Sequence, residues 1–596
     1  MAVDEDAKTA DAAEVIDAEK GDKHAQLHRH ISKVDPHNES IGNHGHASYD
    51  LPDDAYVVTV KTWIVVVILS ISYGVSFWVV PAISSIQSTI AAGFGDAVMA
   101  TYFNTSYTIG GSVAWLIGGA NSDLFGRRYF IIGGNIIVTI GYIVMGAAKN
   151  NSSMIAGFTL IGFGGGNCQL AAFALPELLP NKWRPLAVVI ADSSVLLSVV
   201  IGPVAGRFAI DNGAAWRWLC WGPVIIQVIM CFFLIWLYHP PKHPRGIPWS
   251  QAFRELDYLG AGLFTMAIVL VLVGICYSLT QPSTSPKLVA TLVAGFVCFI
   301  IFALWETFAP LKQPLTPTRI WTRDYGREFT APWIVGLIVT MFFYAINITY
   351  PTMIDVFFTN PSSPKSQALK LSLPQGLGII TGAILLSTVG KRLKNYKTSL
   401  TTMVIGMVLF GGLSALATPE RESMTIAFVF LNQLCYGWCQ YLSITFIQFG
   451  VDQVDLGISG GLAGVARTAG GSVAIAVFSA ILGTTQRSRA AKLVPVAVIA
   501  AGGTASQVPA ILAALPLGPT AFDKVPGLTT TIAEAAGGAF VQSYVYGLKI
   551  TAISSVGFGV LGIIACFFSN PIDHKLTNRI EVFLENTENA DKNVYH

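Results

Sequence analysis

The sequence contains little charge for its length. Of its 596 residues, 12% are Asp, Glu, Lys or Arg, about half of the ~25% that is usual in soluble proteins. Apolar residues make up 53%, and the net charge is only +2. The chain therefore lacks both the polar surface that a soluble enzyme or a disordered scaffold needs and the basic surplus that attracts nucleic acid. This composition predicts an integral membrane protein.

Signatures of several other chemistries are missing as well. The sequence has no GxxxxGK[ST] and no HExxH motif, so ATP-driven pumping and zinc proteolysis have no support. It has no CxxC pair, and its eight cysteines all fall within long apolar runs rather than in polar loops, which argues against a disulfide framework. We expect neither an enzyme nor a cofactor or metal site.

Long apolar runs recur along most of the chain. Each is long enough to cross the ~30 Å hydrocarbon layer as a helix, and none shows the ~10-residue alternating pattern of barrel strands. The sequence therefore predicts fourteen transmembrane helices, at 63–84, 97–119, 129–148, 153–176, 186–210, 217–238, 258–279, 287–308, 329–352, 371–390, 398–417, 423–448, 456–484 and 546–569.

Lys and Arg concentrate in the even-numbered connections between these runs. By the positive-inside rule those connections face the cytosol, and both chain termini then lie there too. The connection between predicted helices 12 and 13 is an exception, because it carries Asp452 and Asp455 and no basic residue. A hidden span within the apolar stretches 493–501 or 508–517 stays open as an alternative, and it would move the C-terminus to the other side.

A weak internal repeat divides the chain into two halves. The connection after helix 2 ends in Gly126-Arg127-Arg128, and the connection after helix 10 has the similar stretch 390–392. Repeated six-helix bundles are typical of secondary transporters, whose site lies between the halves. The predicted parts are a disordered cytosolic tail (1–55), a first bundle (60–238), a linker with inserted helices 7 and 8 (239–328), a second bundle (329–570) with a long external loop (485–545), and a cytosolic tail (571–596).

One motif lies between predicted helices 2 and 3. Gly119 would allow another backbone to approach closely, and Asp123 can accept hydrogen bonds from the amides of a helix N-terminus. Gly126, Arg127 and Arg128 form a tight basic turn. The stretch is similar to the loop signature of the major facilitator superfamily, which implies a role in conformational change.

A second motif lies in predicted helix 5 and contains Gly202, Pro203 and Gly206. Proline removes an intrahelical hydrogen bond and kinks the helix. The motif resembles the antiporter motif of drug exporters in the same superfamily. With fourteen predicted spans, the two motifs resemble the drug:proton antiporter group with fourteen helices.

Three further stretches, 176–185, 216–218 and 466–472, look like those of fungal trichothecene efflux pumps. The resemblance implies the all-α major facilitator fold, with two six-helix bundles and two inserted helices. It also implies proton-driven export of a hydrophobic metabolite, such as a mycotoxin, or of a xenobiotic, through the plasma membrane or a vacuolar or vesicle membrane. Uptake of ferric siderophores, or a non-transporting receptor on this fold, stay open as alternatives.

The positions at which such exporters often carry their proton-coupling residues are Phe158 and Ser72 here, so proton coupling cannot simply be carried over from the resemblance. Asp192 lies about 9 Å of helical rise inside the predicted boundary of helix 5, where an unpaired charge is costly. We predict that Asp192 carries the proton and that Arg467 is its charge partner or a substrate anchor. A fixed packing network is the alternative, and Glu177 is a second candidate carboxylate.

Aromatic and amide side chains on predicted helices 1, 10 and 12 are expected to line a substrate cavity. Such a set suits a neutral, amphipathic ring compound better than an anion, although packing against lipid is an alternative for each residue. The predicted lining residues are Tyr73, Phe77, Trp78, Gln375, Asn432, Gln433, Tyr436, Trp438 and Gln440. The expected partners are thus a hydrophobic small molecule, protons and the lipid bilayer, and no nucleic acid.

Overall fold

The computed structural model describes most of the chain after residue 57. Within that part, the chain forms helices and no strand, as the composition predicts. The predicted tail 1–55 lies outside the described residues, as does most of the segment 578–596. The described residues are 58–84, 86–96, 99–211, 213–240, 249–280, 285–359, 364–393, 395–452, 455–515, 525, 527–577 and 584.

Six long helices form the first half. Helix α2 packs on α4, α4 on α3, α1 on α5, and α3 on α6. Short helices, among them Ala171–Glu177, fill the connections. The long helices are α1 (Val60–Phe77), α2 (Ala100–Phe125), α3 (Arg127–Gly146), α4 (Asn151–Cys168), α5 (Arg184–Asp211) and α6 (Trp218–Leu237).

Two inserted helices and six further long helices follow. The inserted α7 and α8 pack on each other, and α7 also contacts α2 of the first half and α13 of the second. In the second half, α13 packs on α14 and α9, and α12 packs on α10 and α11. These helices are α7 (Tyr258–Thr280), α8 (Pro286–Phe308), α9 (Thr330–Met353), α10 (Lys365–Val389), α11 (Tyr396–Leu413), α12 (Glu422–Phe449), α13 (Leu456–Ala500) and α14 (Thr530–Phe568).

Each of the fourteen predicted spans coincides with one of these helices. Within the described residues, twelve helices are long and apolar enough to cross a membrane. Helices α2 and α12 do not meet this criterion, although they contain 26 and 28 residues. Polar side chains of α12 such as Asn432 and Gln433 are fully buried by protein, so its sequence need not be apolar enough to face lipid. The count of fourteen spans stays a prediction.

The segment 485–545 is mostly helix, whereas the sequence predicts a structured external loop there. Helix α13 continues to Ala500, a short helix covers Val508–Ala514, and α14 begins at Thr530. At 1.5 Å per residue, the 45 residues of α13 extend about 68 Å, more than twice the ~30 Å hydrocarbon layer. The ends of α13 and α14 therefore project beyond the membrane, and a small apolar core holds this extension together.

Candidate functional site

A cavity lies between the two halves, at the level of the middle of α5 and α9. It contains about 780 Å³ of space between atoms, open solvent included. Seven of its nineteen lining residues are aromatic and four more are aliphatic, which makes it suitable for a flat apolar molecule. The polar and aromatic lining residues include Phe77, Tyr107, Trp115, Gln169, Asp192, Thr340, Phe343, Tyr344, Tyr436, Tyr441, Arg467 and Thr468.

Asp192 and Arg467 meet at the wall of this cavity. Arg467 Nη2 lies 3.9 Å from Asp192 Oδ2, and Arg467 Nη1 donates a hydrogen bond of 3.0 Å to Tyr73 Oη. The phenol groups of Tyr73 and Tyr441 lie close enough to the Asp192 carboxylate to interact with it electrostatically. Asp192 and Tyr73 belong to the first half, and Arg467 and Tyr441 to the second. This cluster of four side chains, the central cluster, therefore joins the halves.

Small residues allow the helices to bring the central cluster together. Gly74 faces Ser194 so closely that an added Cβ would overlap the serine side chain, and this places Tyr73 of α1 beside Asp192 of α5. On α13, an added Cβ at Gly464 or Gly470 would overlap the ring of Trp115 or the backbone of α9. The glycine-rich sequence of α13 thus lets Arg467 reach the boundary between the halves.

A second contact between the halves lies at one end of the bundle. We call this end the basic end, because it carries Arg127 and Arg128. The Asp123 carboxylate accepts hydrogen bonds of 3.0 Å from the N–H groups of Gly457 and Ile458. These are first-turn amides of α13, which have no partner inside the helix and lie at the positive end of its dipole. Asp123 thus holds the N-terminus of α13 against α2.

The other residues of this motif support the same contact. Gly119 packs on α13, since a Cβ at this position would lie 2.5 Å from Gly461 Cα. Gly126 has a φ of 88°, a left-handed conformation that favours glycine, and it turns the chain from α2 into α3. Arg127 Nη2 lies 2.8 Å from Glu177 Oε1 and 3.7 Å from Asp123 Oδ1.

One candidate for proton coupling therefore lies at the basic end and not in the cavity. Glu177, a candidate for proton coupling, pairs with Arg127 there. Arg128 Nη2 donates a hydrogen bond of 2.8 Å to the Ile235 carbonyl at the end of α6, which fixes the turn to the first half. We call the contacts of Gly119, Asp123 and Arg127 the gate.

The second predicted motif packs inside the first half. Gly202 lets α5 approach the short helix Val79–Ser84, because an added Cβ would lie 3.0 Å from Ala82 N. Pro203 lies within α5, where it removes a helical hydrogen bond, and Gly206 is buried. None of the three lines the cavity described above.

Three of the nine predicted cavity residues lie at the cavity or the central cluster. Phe77 and Tyr436 line the cavity, and Tyr73 binds Arg467. Trp78 instead donates to the Leu219 carbonyl. Five further side chains also do not line this cavity. Asn432 donates a hydrogen bond to the Met407 carbonyl, and Gln433 donates one to Asn432. Trp438 and Gln440 are buried elsewhere in the protein, and Gln375 is half-buried.

Several residues that line the cavity are not among the predicted ones. Gln169 donates a hydrogen bond of 3.1 Å to Tyr107 Oη, and both side chains line the cavity. Gln169 could have been predicted, because it is a polar amide at the end of the apolar helix α4. Tyr441 follows Tyr436 by five residues on α12, which is about 140° around the helix axis, so helical spacing from Tyr436 did not indicate it. Tyr344 had no comparable signal.

Comparisons with known proteins agree with this architecture. The family model of the fungal trichothecene efflux pump (TRI12) matches residues 43–596. The MFS-type transporter prx5 of Penicillium rubens is 42% identical over 88% of this chain and 93% of its own length. The trichothecene efflux pump TRI12 of Trichoderma arundinaceum is 25% identical over 85% of each chain.

A solved structure shows the same fold. The major facilitator proton:xylose symporter XylE matches with a TM-score of 0.52 and 14% identity, over 89% of this chain and 99% of the symporter. The expected major facilitator fold is confirmed, and both family and fold are those of multi-pass membrane transporters. The relatives favour efflux over siderophore uptake and over a receptor role. The chain belongs to the fungal trichothecene efflux pump family of the major facilitator superfamily.

Proposed function

We propose that this transporter exports a hydrophobic secondary metabolite, such as a mycotoxin, or a xenobiotic across the plasma membrane of a fungal cell, in exchange for protons. The central cluster is the observation that carries the proposal. It places a single carboxylate, Asp192, beside Arg467 in a cavity whose other lining residues are aromatic, aliphatic or uncharged. Aromatic rings can stack on a flat apolar cargo, and a carboxylate can exchange a proton with water.

Asp192 couples proton uptake to movement because its partners lie on both halves. Two opposite charges 3.9 Å apart attract by about 4 kcal/mol at an effective dielectric constant of 20, before the desolvation cost is subtracted. Protonation of Asp192 removes this attraction, whereas Arg467 keeps its charge at any physiological pH. The halves are then less tightly held across the cavity.

The gate decides which end of the cavity is open. Asp123 and α13 hold the basic end closed in this structure. The Lys and Arg bias places the basic end in the cytosol. A state in which the gate has separated would load cargo from the cytosol, and the closed-gate state would release it on the other side.

Exchange of Asp192 for Asn tests the coupling. An amide preserves the shape and most hydrogen bonds of the carboxylate but cannot carry a proton. We expect Asp192→Asn to abolish pH-driven efflux from sealed vesicles while the protein still reaches the membrane. Asp452→Asn is the matched control, because that carboxylate is exposed at the protein surface, and it should transport normally. Normal pH-driven efflux by Asp192→Asn would exclude Asp192 as the carrier and direct attention to Glu177.

Deletion of the gene tests the direction of transport. The deletion strain should accumulate more of at least one compound in a panel of radiolabelled trichothecenes and other apolar toxins, and it should become more sensitive to that compound. Growth on ferric siderophores as the iron source should not change. Normal resistance to the whole panel together with loss of growth on a ferric siderophore would contradict export.

A further inference from the structure

The chain that follows α14 runs along the basic end. Residues 570–577, which we call the strap, contain one short helical turn at Asp573–Lys575. The Asn570 N–H donates a hydrogen bond of 3.2 Å to the Arg327 carbonyl, and Asp573 Oδ1 accepts one of 3.1 Å from the Tyr396 N–H. The first part of the strap is thus bound to the second half.

Lys575 continues this attachment. Its ammonium group donates a hydrogen bond of 2.8 Å to the carbonyl of Phe449, the last residue of α12. It also lies 3.3 Å from Glu328 Oε1. The next residue, Leu576, packs against the main hydrophobic core. Up to this point the strap's hydrogen-bond partners lie in the second half or directly before its first helix.

The end of the strap contacts the first half. The Lys182 N–H donates a hydrogen bond of 2.7 Å to the Thr577 carbonyl, and Asn181 Nδ2 lies 3.5 Å from Thr577 Oγ1. Asn181 and Lys182 lie in the connection between the short helix Ala171–Glu177 and α5. The two halves meet beside this point, since the Arg184 guanidinium lies 4.5 Å from the centre of the Phe449 ring.

We propose that the strap is a second part of the gate, which ties the halves together at the basic end and detaches from residues 181–182 before that end opens. Opening requires the halves to move apart there, so a segment bound to both must release one of them. The strap has more bonds to the second half and would stay with it. One main-chain hydrogen bond shifts such an equilibrium by only about fivefold, which is compatible with release in each transport cycle.

Two cysteine pairs in the full-length protein test this proposal after replacement of the native cysteines. Lys182→Cys with Thr577→Cys joins the strap to the first half, and Arg327→Cys with Asn570→Cys joins it to the second. Each pair lies at a direct main-chain hydrogen bond, which is close enough for a disulfide. The readout is the rate at which a membrane-impermeant maleimide, applied to the basic end, modifies a thiol introduced in the cavity by Thr468→Cys.

We expect the first disulfide to slow the modification at least tenfold and a reducing agent to restore it. The second disulfide should leave the rate unchanged, because the strap then still moves with the second half. Unchanged modification with the first disulfide would overturn the proposal, and so would failure of that disulfide to form or equal slowing by both. No modification in the reduced protein would contradict opening of this end altogether, and the proposal with it.

Discussion

Substitution of Gly119 by alanine should open the gate without unfolding either half. An added Cβ would lie 2.5 Å from Gly461 Cα and 2.7 Å from the Gly457 carbonyl oxygen. Both are backbone atoms of α13 in the second half, and they cannot rotate away as a side chain would. To restore ordinary carbon contacts of about 3.5 Å, α2 and α13 must separate by about 1 Å.

The change in the ratio of open to closed gates depends on the state in which the added Cβ clashes. Overpacking of this kind costs about 1–3 kcal/mol, and only the closed gate bears this cost, because α2 and α13 are apart when the gate is open. The gain in helix propensity from Gly to Ala, about 1 kcal/mol, applies to both states because α2 stays helical. The ratio of open to closed molecules should therefore rise about 5–150-fold.

Distances between spin labels across the basic end can measure this ratio. Labels attached after Lys182→Cys and Arg392→Cys lie on exposed positions of the two halves, so their separation grows when the gate opens. The matched control is Gly133→Ala on α3, where an added Cβ meets no atom within 4 Å. An unchanged distance distribution in a folded Gly119→Ala protein would refute the reasoning, as would an equal change in Gly133→Ala.

Three further predictions concern the gate, the central cluster and the topology. Asp123→Asn should also increase the open population, because the amide loses the charge that faces the N-terminus of α13; unchanged label distances would contradict this. Arg467→Lys should lower vesicle efflux by about 10–100-fold, since a single ammonium group cannot replace a guanidinium that serves two partners; full activity would argue against the central cluster. An epitope after His596 should be stained only in permeabilised cells, and staining of intact cells would mean an odd number of spans.

The positions of most long helices could be predicted because a span that faces lipid must be apolar along most of its length. The extension of α13 could not, because a helix in water needs only one apolar face. Arg487, Arg489 and Lys492 interrupt the apolar run there, and the sequence therefore favours a loop. In the structure, Val494 and Val498 are buried on one side of this extension, and the charged residues do not end the helix.

The pairing of Asp192 with Arg467 was accessible from the sequence, since an unpaired charge inside a membrane is costly. The tyrosines that complete the central cluster depend on how α1 and α12 are rotated, which no local pattern determines.

Ion pairing also explains the acidic connection between α12 and α13. Asp455 lies 3.0 Å from Arg319, and Asp452 lies 3.2 Å from Arg323, so basic residues of another connection offset these two charges.

Helix α13 connects the two places where the halves are held together. Its first-turn amides bind Asp123 at the gate, and Arg467 lies ten residues after Gly457, about 15 Å further along the same helix. Between these points, Gly461 and Gly464 pack directly on α2. No side chain of α13 lies between the helices at these two positions, so a shift of α13 cannot be accommodated there by a change of its rotamers. Loss of charge on Asp192 would release one end of this contact while Asp123 still holds the other. In the proposed mechanism, a rigid helix held at both points is therefore a short physical route by which proton uptake in the cavity would alter the strength of the gate, and it requires no chain of intermediate side chains.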